Sequence, residues 1–122
     1  MKTTDKKKQI DQVYAEAETK RQQLEERFKG KVKVAILTAG VEEEPCVVYF
    51  RAATTFTKMQ CIDLTLQSYM KASATMFEAT VIREASDPRV FEQDNDNDAY
   101  YLGALQYCGG LIRIAKNLLK KK

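Results

Sequence analysis

Apolar residues recur along this chain with two different periods, and each change of period marks a change of element. Near the N-terminus Ile10, Val13, Tyr14, Ala17, Leu24 and Phe28 fall at helical spacing, which lines them on one stripe of an amphipathic helix with a charged opposite face. Thr3 or Thr4 can cap its start with Asp5 in the first turn, Glu16 stands four residues before Lys20, and Gly30 stands where a C-cap glycine belongs. Lys20 and Arg21 interrupt the stripe between Ala17 and Leu24. A long coiled coil would need an apolar residue there, so the expectation is a short helix that packs on its own domain or on one partner.

After Gly30 the period falls to two. Val32-Lys33-Val34-Ala35-Ile36-Leu37 alternates and is rich in β-branched residues, Gly40 and Glu42-Glu43-Glu44-Pro45 form a turn, and Val47-Val48-Tyr49-Phe50 supplies a second strand. Together they predict an antiparallel hairpin. A lone hairpin is marginal in water, so a helix must cover one face or further strands must join from another subunit. The exposed edge is a first pointer to assembly.

From Thr54 or Thr55 the spacing is helical again, through Phe56, Met59, Cys61 or Ile62, Leu66, Tyr69 and Met70 to Ala74, Phe77, Val81 and Ile82. Thr65, Ser68, Ser73 and Thr75 lower the helix propensity, which leaves one long helix or two with a break near Gln67 to Lys71. Asp87-Pro88 ends the segment. A last helix is expected from about Ala99, with Tyr101, Ala104, Leu105, Cys108, Leu111, Ile112, Ala115, Leu118 and Leu119 on one face. The expected fold is α+β and mainly helical: residues 1–30 form a charged amphipathic helix, and residues 31–122 form one small domain with a β-hairpin and two to three helices packed on it.

At 122 residues, with 44% hydrophobic and 30% charged residues, the composition is that of one globular unit. The net charge of +3 comes largely from Lys6-Lys7-Lys8 and Lys120-Lys121-Lys122 at the two ends. Such a distribution fits solvated termini better than a nucleic-acid groove, which gathers basic residues on one face. Met1 leads straight into charged residues with no apolar h-region, and no segment reaches the ~20 apolar residues of a membrane span, so a cytoplasmic location is expected. Cys46, Cys61 and Cys108 are odd in number, widely spaced and set among apolar neighbours, the pattern of buried free thiols.

Two motifs imitate chemistry. Asp94, Asp96 and Asp98 alternate like the ligands of a calcium loop, but Ala99 stands where the sharp turn needs glycine and Leu105 where the bidentate glutamate belongs. A polar loop whose Asp98 caps the next helix is the plainer reading. Gly103 and Gly109-Gly110 lie inside the last helix and imply either a kink or the close approach of a neighbouring helix along the side shared by Gly103 and Gly110. With no histidine, a cysteine nucleophile lacks its usual imidazole partner, and the acidic runs fall in loops. The expectation is a protein without catalytic activity, cofactor or metal.

From Val47 to Lys122 the chain resembles the small tail assembly chaperones of long-tailed bacteriophages and related prophages. The resemblance rests on Tyr49-Phe50-Arg51, Ala53-Thr54, the amphipathic stretch Lys71 to Ile82, Asp87-Pro88, Asp96-Asn97-Asp98-Ala99, and Leu111-Ile112 through Leu118-Leu119-Lys120. It implies a non-enzymatic protein of the infected bacterial cytoplasm that self-associates, coats the long helical tape-measure protein, helps to recruit tail-tube subunits and is absent from the finished particle. No site residue carries over from it. The candidate contact faces come from the apolar stripes: Val13, Leu24 and Phe28 in the first helix, and Leu105, Leu111, Ile112, Leu118 and Leu119 in the last, with core packing as the competing role for each. Two other classes remain open, a permanent connector or ring subunit of a phage particle and a nucleic-acid-binding accessory protein using the lysine-rich ends.

Overall fold

The structure, a computed structural model, describes the backbone of residues 3–38, 44–94 and 97–120 and, within these, the side chains from residue 10 to residue 118. Its elements are helix α1 (Thr3–Phe28), strands β1 (Val32–Leu37) and β2 (Cys46–Arg51), helices α2 (Thr55–Leu64) and α3 (Tyr69–Thr80), a 3-10 turn (Pro88–Phe91) and helix α4 (Ala99–Lys120). The α+β, mainly helical architecture follows the pattern of the sequence. The Gly40 turn and the centre of the Asp94 to Asp98 run lie outside the described residues, as do the side chains of Thr3, Thr4, Asp5 and Leu119.

The hairpin is antiparallel, with Val34 opposite Tyr49 and Ala35 opposite Val48. Alternation divides its side chains between two layers. Val32, Val34, Val47 and Tyr49 cluster on one face with Leu24 and Phe28 of α1 and with Ile82. Ala35, Leu37, Cys46, Val48 and Phe50 join the main core with Met76, Phe77, Leu105, Cys108 and Ile112. Phe77 is its hub: the ring meets Phe50, Phe91 and Tyr101 edge-on at centroid distances of 6.2, 5.9 and 5.5 Å, while Tyr107 stacks on Phe50 at 5.2 Å. Helices thus cover both faces of the hairpin and supply the burial that two strands lack.

The outer edge of β2 is closed by the chain that follows α3. Val81 bridges Phe50, Ile82 N–H donates to the Tyr49 carbonyl at 2.8 Å, and Asp87 N–H donates to the Val47 carbonyl at 3.0 Å. Tyr49 N–H donates to Ser86 Oγ at 3.0 Å, completing the edge. Val81 and Ile82 continue the helical spacing of α3, yet the helix stops at Thr80 and Val81 is extended (φ −64°, ψ 135°). Pairing the otherwise orphaned groups of β2 outweighs two further residues of helix.

Other boundaries differ from expectation for equally local reasons. The break between α2 and α3 falls at residues 65–68, where Thr65 Oγ1 donates to the Ile62 carbonyl at 2.6 Å and Ser68 caps α3 by accepting from Lys71 N–H at 3.2 Å. The left-handed residue after α1 is Lys29 (φ 53°), not Gly30, whose N–H still closes on the Glu25 carbonyl at 3.3 Å. Lys20, the polar interruption of the α1 stripe, lies over the Tyr49 ring and donates from Nζ to the Ala85 carbonyl at 3.0 Å. Its aliphatic stem covers apolar surface while the ammonium finds an acceptor.

Helix α4 runs unbroken across its three glycines. A Cβ at Gly109 would lie 3.0 Å from Ser73 Oγ and 3.5 Å from the Tyr69 ring, and one at Gly103 would lie 3.6 Å from Leu37, whereas one at Gly110 would meet nothing within 4 Å. Close approach is therefore the role of Gly109, where α3 presses on α4. The side shared by Gly103 and Gly110 is not a helix-packing surface at Gly110.

Candidate protein-binding surface

The feature that distinguishes this surface arises from a mismatch of lengths. A helix of 22 residues is about 33 Å long, while a six-residue strand spans about 20 Å, so α4 outruns the hairpin against which it packs. One side of α4, bearing Ala104, Leu105, Cys108 and Ile112, is buried in the main core with α3. The side that meets the hairpin carries Gly103 beside Leu37 and Tyr107 on Phe50.

Leu111, Ile114 and Leu118 continue the line of Tyr107 at steps of four, three and four residues. The alternation of four- and three-residue steps is that of the a and d positions of a coiled-coil seam. Tyr107 and Leu111 are half-buried, but Ile114 is 57% and Leu118 63% exposed. The stripe runs on past the hairpin with its apolar character intact. Complete burial of such side chains is worth ~1.5–3 kcal/mol each, so covering the exposed portion of Ile114 and Leu118 would contribute roughly 1 to 2 kcal/mol apiece.

A second group of apolar side chains lies on α2 and the turn after it. Phe56, Met59 and Leu66 are exposed, Leu66 by 86%, and Met70 at the start of α3 is half exposed. Lys116 ties this region to the end of α4: its Nζ donates to Thr65 Oγ1 at 3.2 Å and lies 5.9 Å from the centroid of the Tyr69 ring. Scattered exposed apolar residues are ordinary, but several at regular spacing on neighbouring elements make a candidate interaction surface.

The sequence-derived contact residues separate by location. Leu24, Leu105 and Ile112 are buried, the first against the hairpin and the other two in the main core, so the chain's own packing takes them up. Val13, Phe28 and Leu111 are half-buried, and the Phe28 ring is flanked by the guanidinium groups of Arg27 and Arg51 at 5.3 and 4.8 Å. Leu118 is exposed. The structure adds Ile114, which the core-facing helical wheel left out; the spacing of Tyr107, Leu111, Ile114 and Leu118 was the signal that could have found it.

The reactive groups are occupied structurally. Cys46, Cys61 and Cys108 are fully buried free thiols, and burial pushes Cys46 up to about 11 and Cys108 up to about 12. Arg89 clamps the end of the hairpin loop: it pairs with Asp87 at 2.8 Å, donates to the Glu44 and Pro45 carbonyls at 3.1 and 3.2 Å, and stacks over Tyr100 at 4.7 Å. The Arg89 hydrogen bond, reinforced by the Arg89 backbone N–H, holds the Asp87 carboxyl below its ordinary range. Among the described residues no three His, Cys, Asp or Glu side chains gather as metal ligands, and no helix is long and apolar enough to cross a membrane. In comparisons with known proteins the chain matches no family model, and no curated protein or solved structure is significantly similar to it.

Proposed function

We propose that this chain is a non-enzymatic phage protein that self-associates and binds a long helical partner during tail assembly, the tape-measure protein being the partner its family resemblance implies. One observation carries the binding part of this reading. The Tyr107, Leu111, Ile114, Leu118 seam has coiled-coil spacing, sits on a helix longer than the hairpin it packs on, and is progressively uncovered toward the end of α4. An amphipathic helix laid along it would be read at the same three- and four-residue intervals. The exposed Phe56, Met59 and Leu66 give each copy a second apolar face, and a short domain needs many copies to cover a long partner.

The test is co-expression with the tape-measure protein of a phage that carries this chain, followed by purification of the complex. The expected result is co-purification in many copies, lost in Ile114→Ser/Leu118→Ser while that variant keeps its fold. Co-purification unaffected by the double substitution would refute the seam. Finding the protein in purified virions at fixed stoichiometry would replace the chaperone role with that of a permanent ring or connector subunit.

A further inference from the structure

Two helices outrun the hairpin, and they do so at opposite ends of it. Val32 N–H donates to Glu25 Oε2 at 3.0 Å and Val32 packs with Leu24 and Phe28, so α1 ends beside the start of β1. Tyr14 and Ala17 share a cleft with Leu37, at the other end of the strand. The turns of α1 before Tyr14 therefore run ~16 Å farther, past the Leu37 end of the hairpin. Helix α4 runs the same way along the strands: Tyr100 reaches the Glu44 carbonyl, Gly103 lies beside Leu37, and Tyr107 stacks on Phe50, the register partner of Lys33. Leu111, Ile114 and Leu118 then pass the Val32 end.

The two projecting stretches match in spacing and oppose in charge. Ile10 and Tyr14, one turn apart, are 41% and 55% exposed, as Ile114 and Leu118 are on α4. Residues 10–19 carry Asp11, Glu16 and Glu18 and no cation, whereas α4 carries no Asp or Glu along its whole length and presents Arg113 and Lys116. Some of these charges are already engaged: Glu18 pairs with Arg21, and Lys116 donates to Thr65. Among the described residues neither Asp11 nor Arg113 has an ion-pair partner, while Arg21, Arg27, Arg83 and Arg89 are each matched to a carboxylate of their own chain.

We propose that the α4 seam of one copy receives the projecting start of α1 from a second copy, with Ile10 against Ile114 and Tyr14 against Leu118. This inference rests on the reading of the seam as a helix-binding surface and names a helix that fills it. Because α1 and α4 run the same way along the hairpin, copies placed end to end bring the two together in parallel. With the helical repeat of ~3.6 residues, Asp11 then falls level with Ala115, on the flank where Arg113 stands. Two α4 helices laid together would instead set cations against cations with no acid to offset them. The contact joins unlike surfaces, so each bound copy keeps one surface of the other kind free for the next.

The test is a mixing experiment on two full-length variants, Ile10→Ser/Tyr14→Ser and Ile114→Ser/Leu118→Ser, followed by sedimentation velocity with circular dichroism as the check on folding. Each variant alone is expected to be a monomer, since it lacks one of the two surfaces. Mixed, they are expected to form a 1:1 dimer and nothing larger, because each supplies the surface the other has lost. Asp11→Arg is expected to weaken native assembly severalfold at low salt, and Arg113→Asp in the same chain to restore it; this exchange decides the matter if a serine variant does not fold. Assembly of Ile10→Ser/Tyr14→Ser at the native level, with Ile114→Ser/Leu118→Ser monomeric, overturns the α1 contact alone. Failure of the two variants to associate on mixing overturns it as well. Native-level assembly of Ile114→Ser/Leu118→Ser would instead remove the seam, and this inference with it.

Discussion

Replacing each glycine of α4 by alanine, one at a time, tests how closely α3 and α4 pack. In an open helix interior the exchange stabilises by ~0.8–1 kcal/mol. Gly110, with nothing within 4 Å of an added Cβ, should show that whole gain. For a chain of 122 residues the unfolding entropy near the midpoint is about 0.26 kcal/mol per degree, so the expected rise in Tm is about 4 °C. Gly109 has the same intrinsic preference, but its Cβ would sit 3.0 Å from Ser73 Oγ, a buried hydroxyl that donates to the Tyr69 carbonyl at 2.9 Å. Making room costs that hydrogen bond, ~0.5–1.5 kcal/mol, and some overpacking of ~1 kcal/mol or more. The net effect of Gly109→Ala is therefore a loss of about 1 kcal/mol. Urea unfolding followed by circular dichroism gives both values. The pair Gly109→Ala/Ser73→Ala should recover roughly 1 kcal/mol of coupling, since the obstructing oxygen is gone. If Gly109→Ala stabilises the protein as much as Gly110→Ala, the close packing of α3 on α4 is wrong.

Truncating the hub of the core, Phe77→Ala, should cost about 3–5 kcal/mol and abolish cooperative unfolding or nearly so, as measured by thermal denaturation. Asp87 has a depressed carboxyl pKa, so its contribution is fully present above the unfolded value of about 3.9 and is lost as pH falls through the folded value. The Tm advantage of the native protein over Asp87→Asn should accordingly be constant near neutrality and shrink below about pH 4; an advantage that persists unchanged at pH 2 contradicts the Arg89 clamp. The three buried thiols, with Cys46 and Cys108 raised by burial, should react with a disulfide reagent at pH 8 only as fast as the protein unfolds.

The sequence made the elements legible because their periods differ: the alternation and β-branching of Val32 to Leu37 favour a strand, and the spacing from Ala104 to Ile112 favours a helix with a buried face. What it could not express was competition between distant segments. Val81 and Ile82 have helical spacing but serve the edge of β2, a demand created by residues thirty positions earlier. Lys20 reads as a flaw in an apolar stripe until Ala85 appears as its acceptor. The candidate binding surface was partly legible. Leu111 and Leu118 were visible as apolar positions, but the sequence does not say which side of α4 meets α3, and that choice separates buried Leu105 and Ile112 from exposed Ile114 and Leu118.

The central claim is that the uncovered α4 seam takes up another helix, which a second copy would also supply, and sedimentation velocity across a concentration series tests it most directly, with native protein run beside Ile114→Ser/Leu118→Ser. The expected result is concentration-dependent assemblies in the native protein and a folded monomer in the double variant. A native protein that stays strictly monomeric at high concentration, or assemblies that survive the two substitutions, would contradict the account.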